Sequence, residues 1–116
     1  MSDSHHTGDS LRDLVQSTAD FYARFGVTPQ LEDTIKNFQE EVRELIEAAR
    51  DGGDKAHIAE ESADVFVTAI GVCFASGLDV DRMIEQVYGV IAKNDAKTHE
   101  THIHLDGKIR RRVSKA

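Results

Sequence analysis

The stretch FQEEVRELIEAARDGGDKAHIAEESADV, residues 38–65, gathers carboxylates in a pattern that could do chemistry. Glu40, Glu41 and Glu44 fall on one helical segment, and Glu61 and Asp64 on the next. At about 100° per residue, Glu41 and Glu44 stand roughly 60° apart, on one flank of an apolar stripe. That stripe runs through Leu31, Ile35, Phe38, Val42, Leu45 and Ala49. Glu61 and Asp64 repeat the spacing beside Ile58, Ser62, Val65, Ala69 and Val72. Two helices packed antiparallel through these stripes would bring both acidic pairs together at the rim of a bundle. An all-oxygen set of this kind suits Mg²⁺, a hard ion that keeps some of its waters and shares its remaining positions with phosphate oxygens. The ion would neutralise phosphate charge and activate an attacking water. A solvated acidic face is the plainer alternative, since like-charge pairs on an exposed helix cost only about 0.2–0.5 kcal/mol. Two matched motifs beside apolar stripes on consecutive helices favour the site. A di-iron bundle would need Glu-x-x-His on two helices. Here the i+3 partners are Glu44 and Asp64, so His57 reads as a neighbour or surface residue rather than a ligand.

Four helical segments must position these acids. The first runs from a Ser10 N-cap to Gly26, with Leu11, Leu14, Val15, Phe21, Tyr22 and Phe25 at helical spacing. The second is expected to start with Thr28 as N-cap and Pro29 at the first helical position, and to end at Gly52-Gly53. The third opens at Asp54 and stops at Gly77, and the fourth starts near Asp79 and frays after Lys93. Short connections between long helices favour antiparallel neighbours, so the expected class is all-α, an up-and-down four-helix bundle. The tail THIHLDGKIRRRV alternates around Asp106-Gly107, which predicts a short C-terminal hairpin or flap. The expected organisation is a disordered N-terminus over 1–9, a helical domain over 10–94, and a basic tail of the same domain over 95–116.

Composition fits one soluble domain. The 116 residues are 40 % apolar and 30 % charged. A single cysteine, Cys73, and the absence of a signal-like or bilayer-length apolar run predict a cytoplasmic protein with no membrane association. The net charge is −7, yet residues 93–116 carry seven Lys/Arg against three acids. An acidic body with a basic tail argues against a nucleic-acid polymer as partner, which would want a broad basic face. It suits carboxylates holding a metal while tail cations hold phosphate. His102 and His104 alternate on one strand face, but no third or fourth ligand accompanies them, so they read as part of a polar flap.

EEVRE (40–44) followed by ESAD (61–64) resembles the EExxE…ExxD signature of the all-α nucleoside triphosphate pyrophosphohydrolases. That superfamily includes the MazG-like proteins, the dimeric dUTPases and the phosphoribosyl-ATP pyrophosphohydrolases. The resemblance covers roughly residues 28–112, and KNDAKTHETHIHLDGKIRR looks like a MazG-like branch with Asn-x-x-Lys and Asp-Gly-Lys segments. It implies cleavage of a nucleotide between its α- and β-phosphates with Mg²⁺ or Mn²⁺. By resemblance, Glu41, Glu44, Glu61 and Asp64 are metal ligands, and Glu40 orients or deprotonates the attacking water. Asn94, Lys97, Lys108 and Arg111 would bind the substrate's phosphates. Candidates for stacking on the base are Phe21, Tyr22, Phe25, Phe38 and Tyr88, although aromatics at helical spacing are more often core.

The third helical segment is apolar almost all round from Val65 to Ala75. A helix of that kind must be covered on every side, which predicts a homodimer or a dimer of dimers formed through it. Three functions compete at this point. They are a house-cleaning nucleotide pyrophosphohydrolase, a phosphoribosyl-ATP pyrophosphohydrolase of histidine biosynthesis, and a non-enzymatic helical module whose acidic ridge binds a basic partner.

Overall fold

A computed structural model describes residues 10–113. The predicted N-terminal disorder over 1–9 lies outside the described residues. Among the described residues the chain is all-α, with four helices and one small hairpin: α1 Leu11–Arg24, α2 Leu31–Arg50, α3 Lys55–Ala75, α4 Val80–Asp95, β1 His102–Leu105 and β2 Lys108–Arg111. It divides into two compact units, Met1–Ile84 and Glu85–Ala116. Among the described residues no helix is long and apolar enough to cross a membrane.

The caps explain most boundaries. Ser10 Oγ accepts from the Asp13 N–H at 3.3 Å, and Asp54 Oδ1 accepts from the Ala56 N–H at 3.3 Å. Asp79 Oδ1 accepts from the Arg82 N–H at 2.8 Å, closing the first turn of α4. The start of α2 differs from the expectation. It opens at Leu31, with Gln30 extended at the cap, so Pro29 precedes the helix instead of beginning it. Pro29 biases Thr28 away from helical dihedrals, and the Gln30 amide folds back to donate to the Thr28 carbonyl at 3.2 Å. The first carbonyl of the helix, that of Gln30, accepts from both the Thr34 N–H and the Thr34 hydroxyl.

In the first unit α2 packs most extensively on α3, and α1 also packs on α3. The connection between α2 and α3 is only four residues, 51–54, so the two form an antiparallel α-hairpin. Tyr22 of α1, Thr34 of α2 and Gly71 of α3 meet at one junction, where a Cβ on Gly71 would lie 2.6 Å from the Tyr22 Oη. Glycine at 71 is therefore what lets three helices approach. The core proper is small: Val15, Ile70 and Ile84, ringed by Leu11, Phe74, Val80 and Met83. An Arg12–Asp81 ion pair at 2.7 Å ties α1 to the first turn of α4 on the surface.

α3 carries its apolar side chains beyond what this unit covers. Phe66 is 59 % exposed and Val67 is also exposed.

The second unit holds the rest of α4 and the antiparallel hairpin, in the register Leu105↔Lys108, His104↔Ile109, Ile103↔Arg110 and His102↔Arg111. Asp106 and Gly107 both take positive φ, 53° and 76°, which is the two-residue turn that matches strand twist. The short hairpin predicted around Asp106-Gly107 is thus present.

Candidate metal centre

The α2–α3 hairpin brings the acids together. Glu41, Glu61 and Asp64 each place one carboxylate oxygen within 4.8 Å of the others. Glu44, one turn after Glu41, acts electrostatically on both Glu41 and Glu61, so all four signature acids belong to one cluster. Glu40 is exposed on α2 and stands outside it.

The acids were expected at the rim of the bundle, and there the structure differs. Glu61 is only 8 % exposed, and Glu41 is half-buried. The reason lies in α2. Its buried line runs through Thr34 and Ala48, seven residues either side of Glu41, and not along the flank of the Leu31–Ala49 stripe. Of these two, Thr34 meets α3 at Gly71. Leu31 and Ile46 are consequently exposed.

Burial changes the acids' chemistry. The Glu41 carboxyl is pushed up to about 7 by burial first, then by the adjacent Glu44, then by Asp64 and Glu61. Glu61 is also raised, by burial and then Glu44, with His57 opposing. One oxygen of each, Glu41 Oε2 and Glu61 Oε2, is buried without a hydrogen-bond partner. Unpaired buried carboxylate oxygens are costly, and a divalent cation would satisfy both. The donor set is therefore one that fits a hard metal.

On the same helix His57 and Glu60 extend the cluster. With Glu61 they form a second group whose ligand atoms lie within 4.8 Å of one another. His57 Nε2 is 3.9 Å from Glu61 Oε1, an electrostatic contact too long for a hydrogen bond. The i, i+3, i+4 spacing of residues 57, 60 and 61 is the sequence signal for that extension.

The other expected site residues lie in the second unit. Lys97 Nζ donates to Asn94 Oδ1 at 3.0 Å, so these two are together. Lys108 and Arg111 are not. Arg111 shares a hairpin face with His102, His104 and Ile109, whereas Lys108 shares the opposite face with Ile103, Leu105 and Arg110. Of the aromatic candidates in the first unit, Phe21 and Phe25 are exposed and stack on each other at 5.2 Å, with the Arg24 guanidinium over both rings. Tyr22 is half-buried at the Gly71 junction. A cavity of about 720 Å³ between the end of α4 and the hairpin has no signature in the sequence.

Compared with known proteins, residues 13–89 match the family model described as phosphoribosyl-ATP pyrophosphohydrolase. No curated protein and no solved structure matches. The matched stretch covers about two thirds of the chain and includes all four clustered acids. With a carboxylate cluster suited to metal at its centre, the chain belongs to the phosphoribosyl-ATP pyrophosphohydrolase family, whose members hydrolyse a phosphoanhydride bond of a nucleotide with the help of a metal ion.

Proposed function

We propose that the protein hydrolyses a nucleoside triphosphate between its α- and β-phosphates, giving a monophosphate and pyrophosphate, as a house-cleaning enzyme of the cytoplasmic nucleotide pool. The observation that carries this reading is the pair of buried, unpartnered oxygens of Glu41 and Glu61 inside the four-acid cluster. Glu41, Glu44, Glu61 and Asp64 would hold Mg²⁺ or Mn²⁺. When bound, the ion neutralises phosphate charge and lowers the pKa of a coordinated water. Glu40, exposed beside the cluster in sequence, orients the attacking water and takes its proton. The water oxygen bonds to a phosphorus of the α–β bridge, the bridging P–O bond breaks, and the electron pair leaves on the departing phosphate. Asn94, Lys97, Lys108 and Arg111 bind the substrate. Because Lys108 and Arg111 occupy opposite hairpin faces, they meet different parts of it.

A second reading, phosphoribosyl-ATP hydrolysis in histidine biosynthesis, is favoured by the description of the matching family. Both readings share the metal cluster and the bond cleaved. Phe66 and Val67 on α3, with Tyr88, Val90 and Ile91 on α4, are exposed apolar side chains. They support assembly as a homodimer or a dimer of dimers.

The test is incubation with Mg²⁺ or Mn²⁺ and a panel of standard, deoxy and modified triphosphates together with phosphoribosyl-ATP, with products resolved. Monophosphate plus pyrophosphate, lost in Glu41→Ala, is the expected result for the first reading. Turnover confined to phosphoribosyl-ATP would select the second. No turnover on any substrate, or turnover that Glu41→Ala keeps, would overturn both.

A further inference from the structure

The cavity between the end of α4 and the hairpin lies wholly inside the second unit and begins at Asn94, beyond the family-matched residues 13–89. Its volume, about 720 Å³, falls within the roughly 300–1,000 Å³ of small-molecule sites. Asn94, Lys97, His99, His102, His104 and Ile109 supply its chemistry.

Fixed charge is scarce there. Among the lining residues only Lys97 is a permanent cation, and it is hydrogen-bonded to Asn94. Arg110, Arg111 and Arg112 are not among the lining residues, although Arg111 stands on the hairpin face of His102, His104 and Ile109. Arg112 Nε donates to the His99 carbonyl at 2.6 Å, and Arg110 Nε donates to the Leu105 carbonyl at 3.2 Å. His102 is anchored through Nδ1 to the Thr101 hydroxyl at 2.7 Å. Burial, then the charges of Lys97 and Arg111, hold its pKa below the ordinary histidine value, so the ring is neutral at physiological pH. A polyphosphate carries several negative charges and needs several cations to hold it. A single lysine matches a single phosphate.

The rest of the lining suits a flat heterocycle. Imidazole rings and an isoleucine offer faces against which a base can pack. The Asn94 amide and the imidazole nitrogens offer donors and acceptors to the edge of a base.

We infer that this cavity receives the nucleoside half of the substrate, with the heterocycle packed on the imidazoles and Ile109 and one 5′-phosphate at Lys97. The assignment rests on the pyrophosphohydrolase reading and deepens it. It divides the labour of the substrate-binding residues, giving Asn94 and Lys97 the half of the substrate that ends as the monophosphate. Base selection then belongs to the part of the chain outside the family-matched stretch.

The test uses the full chain in EDTA, so that binding is read without hydrolysis. The histidine Cε1–H signals are followed by NMR, assigned with single His→Gln variants, during titration with the four nucleoside 5′-monophosphates and with ribose 5-phosphate. At least one nucleotide is expected to shift the signals of His99, His102 and His104, with a Kd at least tenfold below that of ribose 5-phosphate. Asn94→Ala should close most of that gap while the hairpin signals stay in place. Equal affinity for ribose 5-phosphate would make this a phosphate site and overturn the proposal. So would the absence of nucleotide-induced shifts at these histidines in a protein that hydrolyses nucleotides. Shifts in a protein that hydrolyses nothing would count against the catalytic reading alone.

Discussion

On the proposed ligand set, proton and metal compete for the same oxygens of Glu41, and that competition sets a measurable pH dependence. In the absence of metal the Glu41 carboxyl titrates at about 7. A metal must displace that proton, so apparent affinity weakens by the factor by which the acid is protonated. A group with a pKa near 7 imposes about an 11-fold weakening at pH 6 and about 1.1-fold at pH 8, a tenfold difference in Kd for Mn²⁺. Glu61, raised in the same direction, acts in the same sense. Calorimetric titration at pH 6, 7 and 8, in two buffers of different ionisation enthalpy, reads both the affinity and the protons released.

The stability of the metal-free protein must move the opposite way. Glu41 holds a proton in the fold that it has lost in the unfolded chain between its ordinary value of 4.5 and about 7. Its contribution is therefore present below pH 4.5 and is lost as pH rises through 7. Melting in EDTA should show Tm falling across that window, and saturating Mn²⁺ should remove the fall. At a hundredfold excess over Kd the ion adds about 2.7 kcal/mol. Scaled to the 116 residues, that corresponds to roughly 11 °C in Tm. A Kd that changes less than twofold between pH 6 and 8, or a Glu41→Gln variant that keeps wild-type Mn²⁺ affinity, would refute the reasoning.

Gly71→Ala places a methyl group 2.6 Å from the Tyr22 hydroxyl and should cost about 1–3 kcal/mol. Adding Tyr22→Phe should restore most of the loss in thermal denaturation, whereas additive losses would contradict the close approach. Val15 is fully buried, so Val15→Ala should lower stability by about 2 kcal/mol in urea titration. An effect below 0.5 kcal/mol, on the order expected for surface positions, would mean that the small cluster around it is not the core. Phe66→Asp should leave the helical circular dichroism unchanged and convert a dimer to a monomer in light scattering. A wild-type monomer at micromolar concentration would end the assembly proposal.

Much of the fold can be read from local signals because those signals are local. Ser10, Asp54 and Asp79 cap α1, α3 and α4 through their own side chains, and Asp106-Gly107 makes its turn with its own dihedrals. The start of α2 was misplaced because Pro29 and Thr28 fit an N-terminal pattern equally well in two registers. Which register wins depends on Thr34, whose hydroxyl bonds to the Gln30 and Leu31 carbonyls. The acids themselves were found from their spacing, but their depth was not. Counting large apolar residues draws the buried line of α2 through Leu31 and Ala49, while helix packing follows the small residues Thr34 and Ala48. The cavity escaped entirely, since it needs the end of α4 and a hairpin to fold toward one another.

That depth changes what the cluster means. At a rim, four acids would be a surface feature that water screens, and losing one would matter little to the fold. Between α2 and α3, Glu41 and Glu61 occupy positions that an apolar residue would fill at lower cost, and each keeps an oxygen without a partner. Thr34, two turns before Glu41, is buried and lies within van der Waals reach of α3 at Gly71. Gly71 also leaves room for Tyr22 of α1. The acids thus belong to an arrangement in which helix packing holds like charges close together, which is what the proposed cation would relieve. Without a cation the like charges of this cluster oppose folding, and metal binding is expected to tighten the hairpin that carries them.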